Sequence, residues 1–246
     1  SFLSLLVVAL LLIVVGATLR TQVVLAPATD EPEEPLKVRG SIPYWDQERA
    51  LASLQNNADV FTDVSLFWYY LTTEGGIEKY EYAKEDRAII DYVHANNIKV
   101  TAVVTNLPDS EGAEWDSKRV ERIIGDPSAR GRHIQDITAK VEAMGFDGVT
   151  IDYEGLVADS RDNFSLFIQE LAEVLHGKGK SVGVALHPKT GEAKPNENNG
   201  SRAQNWRALA QVADQLYIMA YGEHWDGSGK SPLSPTLAHA DSSLIF

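Results

Sequence analysis

Six short segments rich in β-branched and aromatic residues recur along this chain, at 37–45, 63–72, 98–106, 146–154, 181–187 and 215–222. Stretches of helical periodicity fill the intervals, near 47–57, 84–96, 117–124, 128–144, 161–178 and 202–213. Alternation of this kind predicts a parallel sheet, because neighbouring parallel strands must be joined by a crossover and a helix is the usual one. Asp126 before Pro127 predicts a capped helix start, and Gly145, Gly177 and Gly179 predict helix stops. Phe164, Phe167, Ile168, Leu171 and Leu175 fall at helical spacing and belong to the core.

A doubly wound open sheet and a barrel both satisfy that alternation. No Gly-x-Gly-x-x-Gly follows the first strand segment, and no P-loop is present. Polar and aromatic residues gather instead at the C-terminal ends of the strand segments: Tyr44 and Trp45, Trp68 to Tyr70, Asn106, Asp152 and Glu154, His187, and Tyr221. In a barrel those ends converge on one mouth, where the active site sits. The expected fold is therefore an α/β (β/α)8 TIM barrel, incomplete in this chain, with about six βα units. Strands one and six should be left as open edges with a gap between them, as in a fragment.

Residues 2–19, FLSLLVVALLLIVVGATL, carry no charge. A run of that length reads as an apolar helix, either a membrane span or the core of a secretory signal. The expected organisation is a transmembrane anchor or signal peptide over 1–25, an acidic Pro-rich linker over 26–36, and a partial catalytic barrel over 37–246. The barrel should then be extracytoplasmic, secreted or tethered to the membrane through residues 2–19 if these are uncleaved. A formal net charge of -13 without a basic cluster argues against a nucleic-acid partner. The absence of cysteine excludes disulfides, thiolate metal sites and a cysteine nucleophile. His187 and His224 show no metal-ligand spacing, so neither a metal nor a cofactor is expected.

The segment FDGVTIDYE, residues 146–154, carries the chemistry. Alternate residues of a strand share a face, so Val149, Ile151 and Tyr153 point to the helix layer, while Gly148, Thr150, Asp152 and Glu154 point inward. Carboxylates two residues apart on a strand lie about 6.6 Å apart at the backbone. At a dry mouth they do not both ionise readily, so one keeps a proton near neutral pH, as a general acid must. The structural alternative is a pair of ordinary salt bridges, but the segment contains no base.

FDGVTIDYE resembles the D-x-x-D-x-D-x-E signature of glycoside hydrolase family 18, the chitinase-like enzymes, with Asp147, Thr150, Asp152 and Glu154 at the four positions and Thr150 the mismatch. LYIMAYGEHW, residues 216–225, resembles that family's Met-x-Tyr-Asp segment at Met219 and Tyr221, with Gly222 in the place of the Asp. The stretch from Asp152 to Lys189 is similar to bacterial members related to spore-cortex and cell-wall hydrolases. The resemblance implies hydrolysis of β-1,4 bonds in a polysaccharide with N-acetylglucosamine units, peptidoglycan or a chitin-like glycan, by substrate-assisted retention. It implies that Glu154 is the general acid and base, that Asp152 orients and stabilises the acetamido group, and that Tyr221 hydrogen-bonds its oxygen. Asp147, Thr150, Tyr44, Trp45, Trp68, Asn106, His187, Met219 and Trp225 complete the candidate substrate-binding set. Aromatic rings suit sugar faces, although core packing accounts equally well for part of that set. In the family, an Asp at the Thr150 position helps the residue matching Asp152 change partners. Threonine there and Gly222 therefore leave open a catalytically weak or silent carbohydrate-binding barrel. A glycosidase with a protein nucleophile would need a second carboxylate about 5 Å from Glu154, and the other strand ends offer no clear candidate.

Overall fold

The computed structural model describes residues 36–85, 87–189 and 199–220. Among these, parallel pairing runs through β1 (Arg39–Pro43), β2 (Asp63–Leu71), β4 (Lys99–Thr105), β5 (Gly148–Asp152), β6 (Ser181–Leu186) and β7 (Gln215–Ile218), neighbours in that order. The six parallel strands fall within the six expected segments and in the same chain order, but the segments run past the strand ends. Asn106, Glu154 and His187 each lie beyond the last residue of their strand. One further strand, β3 (Ile77–Lys79), returns antiparallel along the end of β2 after the turn at Gly75, where φ is +93°. The hairpin was not anticipated, although Glu74-Gly75-Gly76 is a turn signal.

Helices α1 (Gln47–Asn56), α2 (Arg87–Ala95), α3 (Ser117–Gly125), α4 (Pro127–Met144) and α5 (Arg161–His176) match the predicted helical segments. The Asp126 side chain accepts from the Ala129 amide at 2.7 Å, Pro127 occupies the first helical position, and Gly145 ends α4 in the left-handed conformation. Phe164, Phe167, Ile168, Leu171 and Leu175 line the buried face of α5. The segment at 202–213 is not one helix. It splits into α6 (Asn199–Ala203) and α7 (Trp206–Leu209), because Gln204 is buried with its side chain bonded to strand backbone and Asn205 caps the next turn. Among the described residues no helix is long and apolar enough to cross a membrane. The expected anchor and all but the last residue of the linker lie outside the described residues.

β5 is buried along its whole length, as a parallel strand covered on both faces must be. The sheet is curled. β1 and β7 stand at opposite ends of the pairing order, yet the Arg39 guanidinium of β1 lies 3.8 Å from the ring centroid of Tyr217 in β7. The two end strands therefore face each other across the interior. Glycines permit this closeness. A Cβ at Gly183 would lie 2.7 Å from the Tyr217 ring and 3.0 Å from Thr150 Oγ1, and one at Gly148 would lie 2.3 Å from the Ser181 carbonyl oxygen.

The base of the sheet repeats one device three times. Before β5, the Asp147 amide donates to the Val100 carbonyl at 2.8 Å, and Asp147 Oδ2 accepts from the Val100 amide at 2.8 Å. Before β7, Asp214 makes the same two bonds to Val182, at 2.8 and 2.7 Å. Before β2, Thr62 does so to Val38, at 2.9 Å for each, through its hydroxyl. Both aspartates also hold a histidine from the last turn of a helix, His94 of α2 at 3.0 Å and His176 of α5 at 2.9 Å.

Behind β5, Tyr153 turns toward the helix layer as the alternation predicted. It meets His133 of α4, which has no exposed surface. His133 Nδ1 is 2.7 Å from the Gly75 carbonyl oxygen, so it carries the proton and donates. Nε2 then accepts from the Tyr153 hydroxyl at 2.6 Å. Burial lowers the His133 pKa from 6.5 to about 4. The unfolded imidazole takes up a proton near pH 6.5 and the folded one only near pH 4. Stability from this site is thus complete above about pH 6.5 and is lost as pH falls toward 4, by about 3 kcal/mol. His133→Gln, which cannot take up a proton, should be less stable at pH 7 but show a shallower decline between pH 6.5 and 4. Urea unfolding at pH 7 and 4.5 checks this, and an unchanged slope would mean that other groups carry the acid sensitivity.

Candidate active site

Asp152 is the last residue of β5, and Glu154 lies two residues beyond it. The β4–β5 ladder pairs Thr105 with Asp152 and stops there. The Asn106 side chain extends it: Oδ1 accepts from the Glu154 amide at 2.8 Å, and Nδ2 donates to the Glu154 carbonyl at 2.9 Å. A carboxamide carries the donor and acceptor of a peptide unit, so this side chain acts as one more rung. Asn106 has no exposed surface and is a holder of Glu154, not a sugar contact. The inward position of Glu154 therefore rests on Asn106 and not on strand alternation.

The two carboxyls share a dry environment. Burial, reinforced by the charge of Glu154, raises the Asp152 pKa to about 7. Burial likewise raises that of Glu154. Asp152 Oδ1 is buried without a hydrogen-bond partner among the described residues. His187, at the end of β6, brings Nε2 to 3.9 Å from Glu154 Oε2.

One layer deeper, Arg39 occupies the interior. Its Nη2 donates to Thr101 Oγ1 at 2.6 Å and to Thr150 Oγ1 at 2.8 Å, and its Nε lies 3.6 Å from Asp63. Burial lowers its pKa to about 10, opposed by the charge of Asp63. Thr150 thus points inward as predicted, and its hydroxyl is engaged by the Arg39 guanidinium.

Aromatic residues wall the mouth on the β1–β2 side. Tyr44 stacks on Tyr80 with centroids 4.2 Å apart, and Trp45 meets Tyr44 and Phe67 edge-on while remaining 58% exposed. Tyr80 is fixed by a closed ring of bonds. The Leu107 amide donates to Thr105 Oγ1, that hydroxyl donates to Tyr80, and Tyr80 donates to the Leu107 carbonyl. Tyr80 was missed because its hairpin was missed; the signal available was the alternation in IEKYEY after Gly75-Gly76. Arg39 was missed because a lone Arg in an apolar strand gives no pattern.

Other candidates fall elsewhere. Trp68 has no exposed surface and packs edge-on against Tyr69 and Phe146, at a bulge of β2, so it is core and not a sugar platform. Asp147 lies at the opposite end of β5 from Glu154, in the basal bonds to Val100 and His94, and touches no site at the mouth. Met219 is partly buried just after β7, its amide bonded to the Leu186 carbonyl. Tyr221 and Trp225 lie outside the described residues. Among the described residues no three His, Asp or Glu side chains are grouped to hold a metal ion.

Comparison with known proteins gives a consistent assignment. The model of glycosyl hydrolases family 18 matches residues 44–243. YdhD of Bacillus subtilis, which bears the name of a sporulation-specific glycosylase, is 27% identical over 190 residues, 77% of this chain and 42% of YdhD. The cortical fragment-lytic enzyme of the same organism is 23% identical over 57% of this chain and 32% of its own length. The chain thus spans less than half of each of these curated relatives. Among solved structures, a chitinase from Chromobacterium violaceum superposes with a TM-score of 0.69 at 23% identity, over 80% of this chain and 60% of that one, which shows the fold.

The two Asn106 bonds to Glu154 are partly buried, and each such bond contributes about 1 kcal/mol net. Asn106→Ala should therefore lower unfolding stability by about 2 kcal/mol or more. A urea-unfolding loss below about 0.5 kcal/mol would contradict the role given to this side chain.

Proposed function

The chain belongs to the glycosyl hydrolases of family 18, and from that membership and its buried carboxyl pair we propose that it cleaves β-1,4 bonds beside N-acetylglucosamine units, in peptidoglycan ahead of a chitin-like glycan. One observation carries the reading: Asp152 and Glu154 stand together at the C-terminal end of β5, both pushed toward the protonated form by burial. A carboxyl that keeps its proton near neutral pH can deliver it to a leaving oxygen.

In the proposed reaction the Glu154 proton passes to the glycosidic oxygen as the bond to the anomeric carbon breaks. The acetamido carbonyl oxygen of the substrate forms the new bond to that carbon, giving an oxazolinium ion. Asp152 holds the acetamido N–H and stabilises the positive charge that develops there. Tyr221 is proposed to hold the acetamido oxygen. Water then adds at the anomeric carbon as the bond from that carbon to the acetamido oxygen breaks, and the water's proton goes to the Glu154 carboxylate, which restores the acid. Tyr44, Trp45 and Tyr80 offer ring faces to the sugars. Wall or cortex glycan as substrate implies action outside the cytoplasm, in keeping with the apolar run at residues 2–19.

Thr150 supports a second reading, a catalytically weak or silent carbohydrate-binding barrel, because its hydroxyl is engaged by Arg39 and cannot share charge with Asp152. A turnover assay of the full-length protein on wall glycan and chitin oligomers separates the two.

Glu154→Gln is expected to lower hydrolysis by about 10²-fold to 10⁴-fold while glycan binding is retained. Wild-type turnover in that variant would remove Glu154 as the acid. A thiazoline mimic of the oxazolinium ion should inhibit, whereas a covalent glycosyl-enzyme adduct detected by mass spectrometry would point to a protein nucleophile.

The pKa of Asp152 gives a further test. Unfolded Asp152 ionises near 3.8 and the folded residue near 7, so stability from its protonated form is present below 3.8 and lost as pH rises through 7. Asp152→Asn should therefore be inactive, yet gain stability over the native protein between about pH 4 and 7, reaching about 2–4 kcal/mol at pH 8. Unfolding curves at pH 5 and 8 measure this; equal margins at both would mean that Asp152 ionises normally.

A further inference from the structure

His187 stands immediately after β6, on the strand next to the one that carries the carboxyl pair. Its main chain is held firmly. The amide donates to Gln204 Oε1 at 2.7 Å, and Gln204 Nε2 donates to the Ala185 carbonyl at 3.1 Å, with Gln204 itself fully buried. The ring is therefore directed by a fixed base. Nε2 is buried and makes no hydrogen bond among the described residues, and the nearby charge-bearing atom is Glu154 Oε2 at 3.9 Å.

That distance is too long for a hydrogen bond, but catalytic bonds are often long before substrate binds and tighten when it is bound. A proton on Nδ1 would set the Nε2 lone pair against those of the carboxyl oxygen. A proton on Nε2 converts the same contact into an attraction, so the ionised Glu154 carboxylate selects the Nε2–H tautomer. With Oε2 accepting from His187, the acid proton of Glu154 is confined to Oε1.

We propose that His187 is a positioning residue for the general acid: its Nε2–H holds Glu154 Oε2, leaves the transferable proton on Oε1, and stays bonded to the carboxylate after that proton has gone. This rests on the reading of Glu154 as the acid. It differs from a sugar contact, because the ring acts on the enzyme's own carboxyl. It has an electrostatic consequence too. A donor to Oε2 favours the ionised form and opposes the upward push of burial on Glu154. Burial also lowers the His187 pKa, which keeps the ring neutral.

The test uses two amide replacements in the full chain. The amide nitrogen of Gln reaches about as far as Nε2 of His, whereas that of Asn reaches only as far as Nδ1. His187→Asn should lower kcat by about 10-fold to 100-fold with KM changed less than about threefold, the loss expected for a hydrogen bond to a charged group. His187→Gln should recover most of kcat. Equal activity of the two variants, or a loss expressed in KM, would overturn the proposal, the latter pointing to a sugar contact. A measurement independent of turnover accompanies this. The carboxyl resonance of Glu154, assigned with Glu154→Gln, should titrate about one unit higher in His187→Asn than in the native protein, and an unchanged titration overturns the proposal. If Glu154→Gln keeps full activity, the acid assignment itself fails; if it is inactive while His187→Asn turns over normally, only the role of His187 fails.

Discussion

A guanidinium enclosed by strands must find polar partners, because an unpaired buried charge is far more costly than any apolar contact it displaces. Arg39 meets part of that demand by engaging four other strands, while its Nη1 has no hydrogen-bond partner among the described residues. It begins on β1, lies beside Asp63 of β2, donates to Thr101 of β4 and Thr150 of β5, and stacks on Tyr217 of β7. These are polar or aromatic choices in a place where apolar side chains would pack with less penalty. They come as a set: any one partner is justified by the guanidinium, and the guanidinium by all of them. Gly183 belongs to the same set, since a side chain there would strike both Tyr217 and Thr150. The curl of the sheet follows, because the contact between β1 and β7 exists only if the ends of the pairing order approach each other.

Two carboxamides govern the mouth above this centre. Asn106 and Gln204 are both fully buried, and both spend their side chains on backbone beyond the last strand residue, at Glu154 and at His187. Side chains at strand ends would otherwise sit on loops, whose positions are the least determined part of a barrel. Glu154 and His187 lie just outside the strands yet keep nearly strand-like fixation. A site built on such surrogate rungs combines the placement of a strand with the exposure of a loop.

The parallel order of strands was readable because β-branched runs and helical stretches alternate over most of the chain, and each burial pattern is repeated many times. The inward and outward faces of 148–153 were readable for the same reason, and Thr150 and Tyr153 stand where alternation puts them. What could not be read depends on single residues. Trp68 looks like a sugar platform by type and position, and only its contact with Phe146 makes it core. Asp147 sits in the same short segment as Asp152, but five residues of strand carry it to the other end of the sheet. Asn106 gives no hint that its amide pairs with a segment 48 residues away. Long-range pairing of individual polar side chains leaves no periodic trace.

The paired bonds at the base of the sheet reach further than their position suggests. Thr62, Asp147 and Asp214, each just before a strand, lock the entry to that strand to a fixed residue at the base of its neighbour. Side chains alternate along a strand, so a slip of one residue exchanges its two faces. If β5 slid by a single step, Ile151 would take the inward place and Asp152 would turn into the helix layer. The basal aspartate of β5 therefore works as the zero mark of a ruler: it touches nothing at the mouth, yet it decides which side chains are read there. The same mark occurs under β2 and β7, so the strands are indexed in pairs.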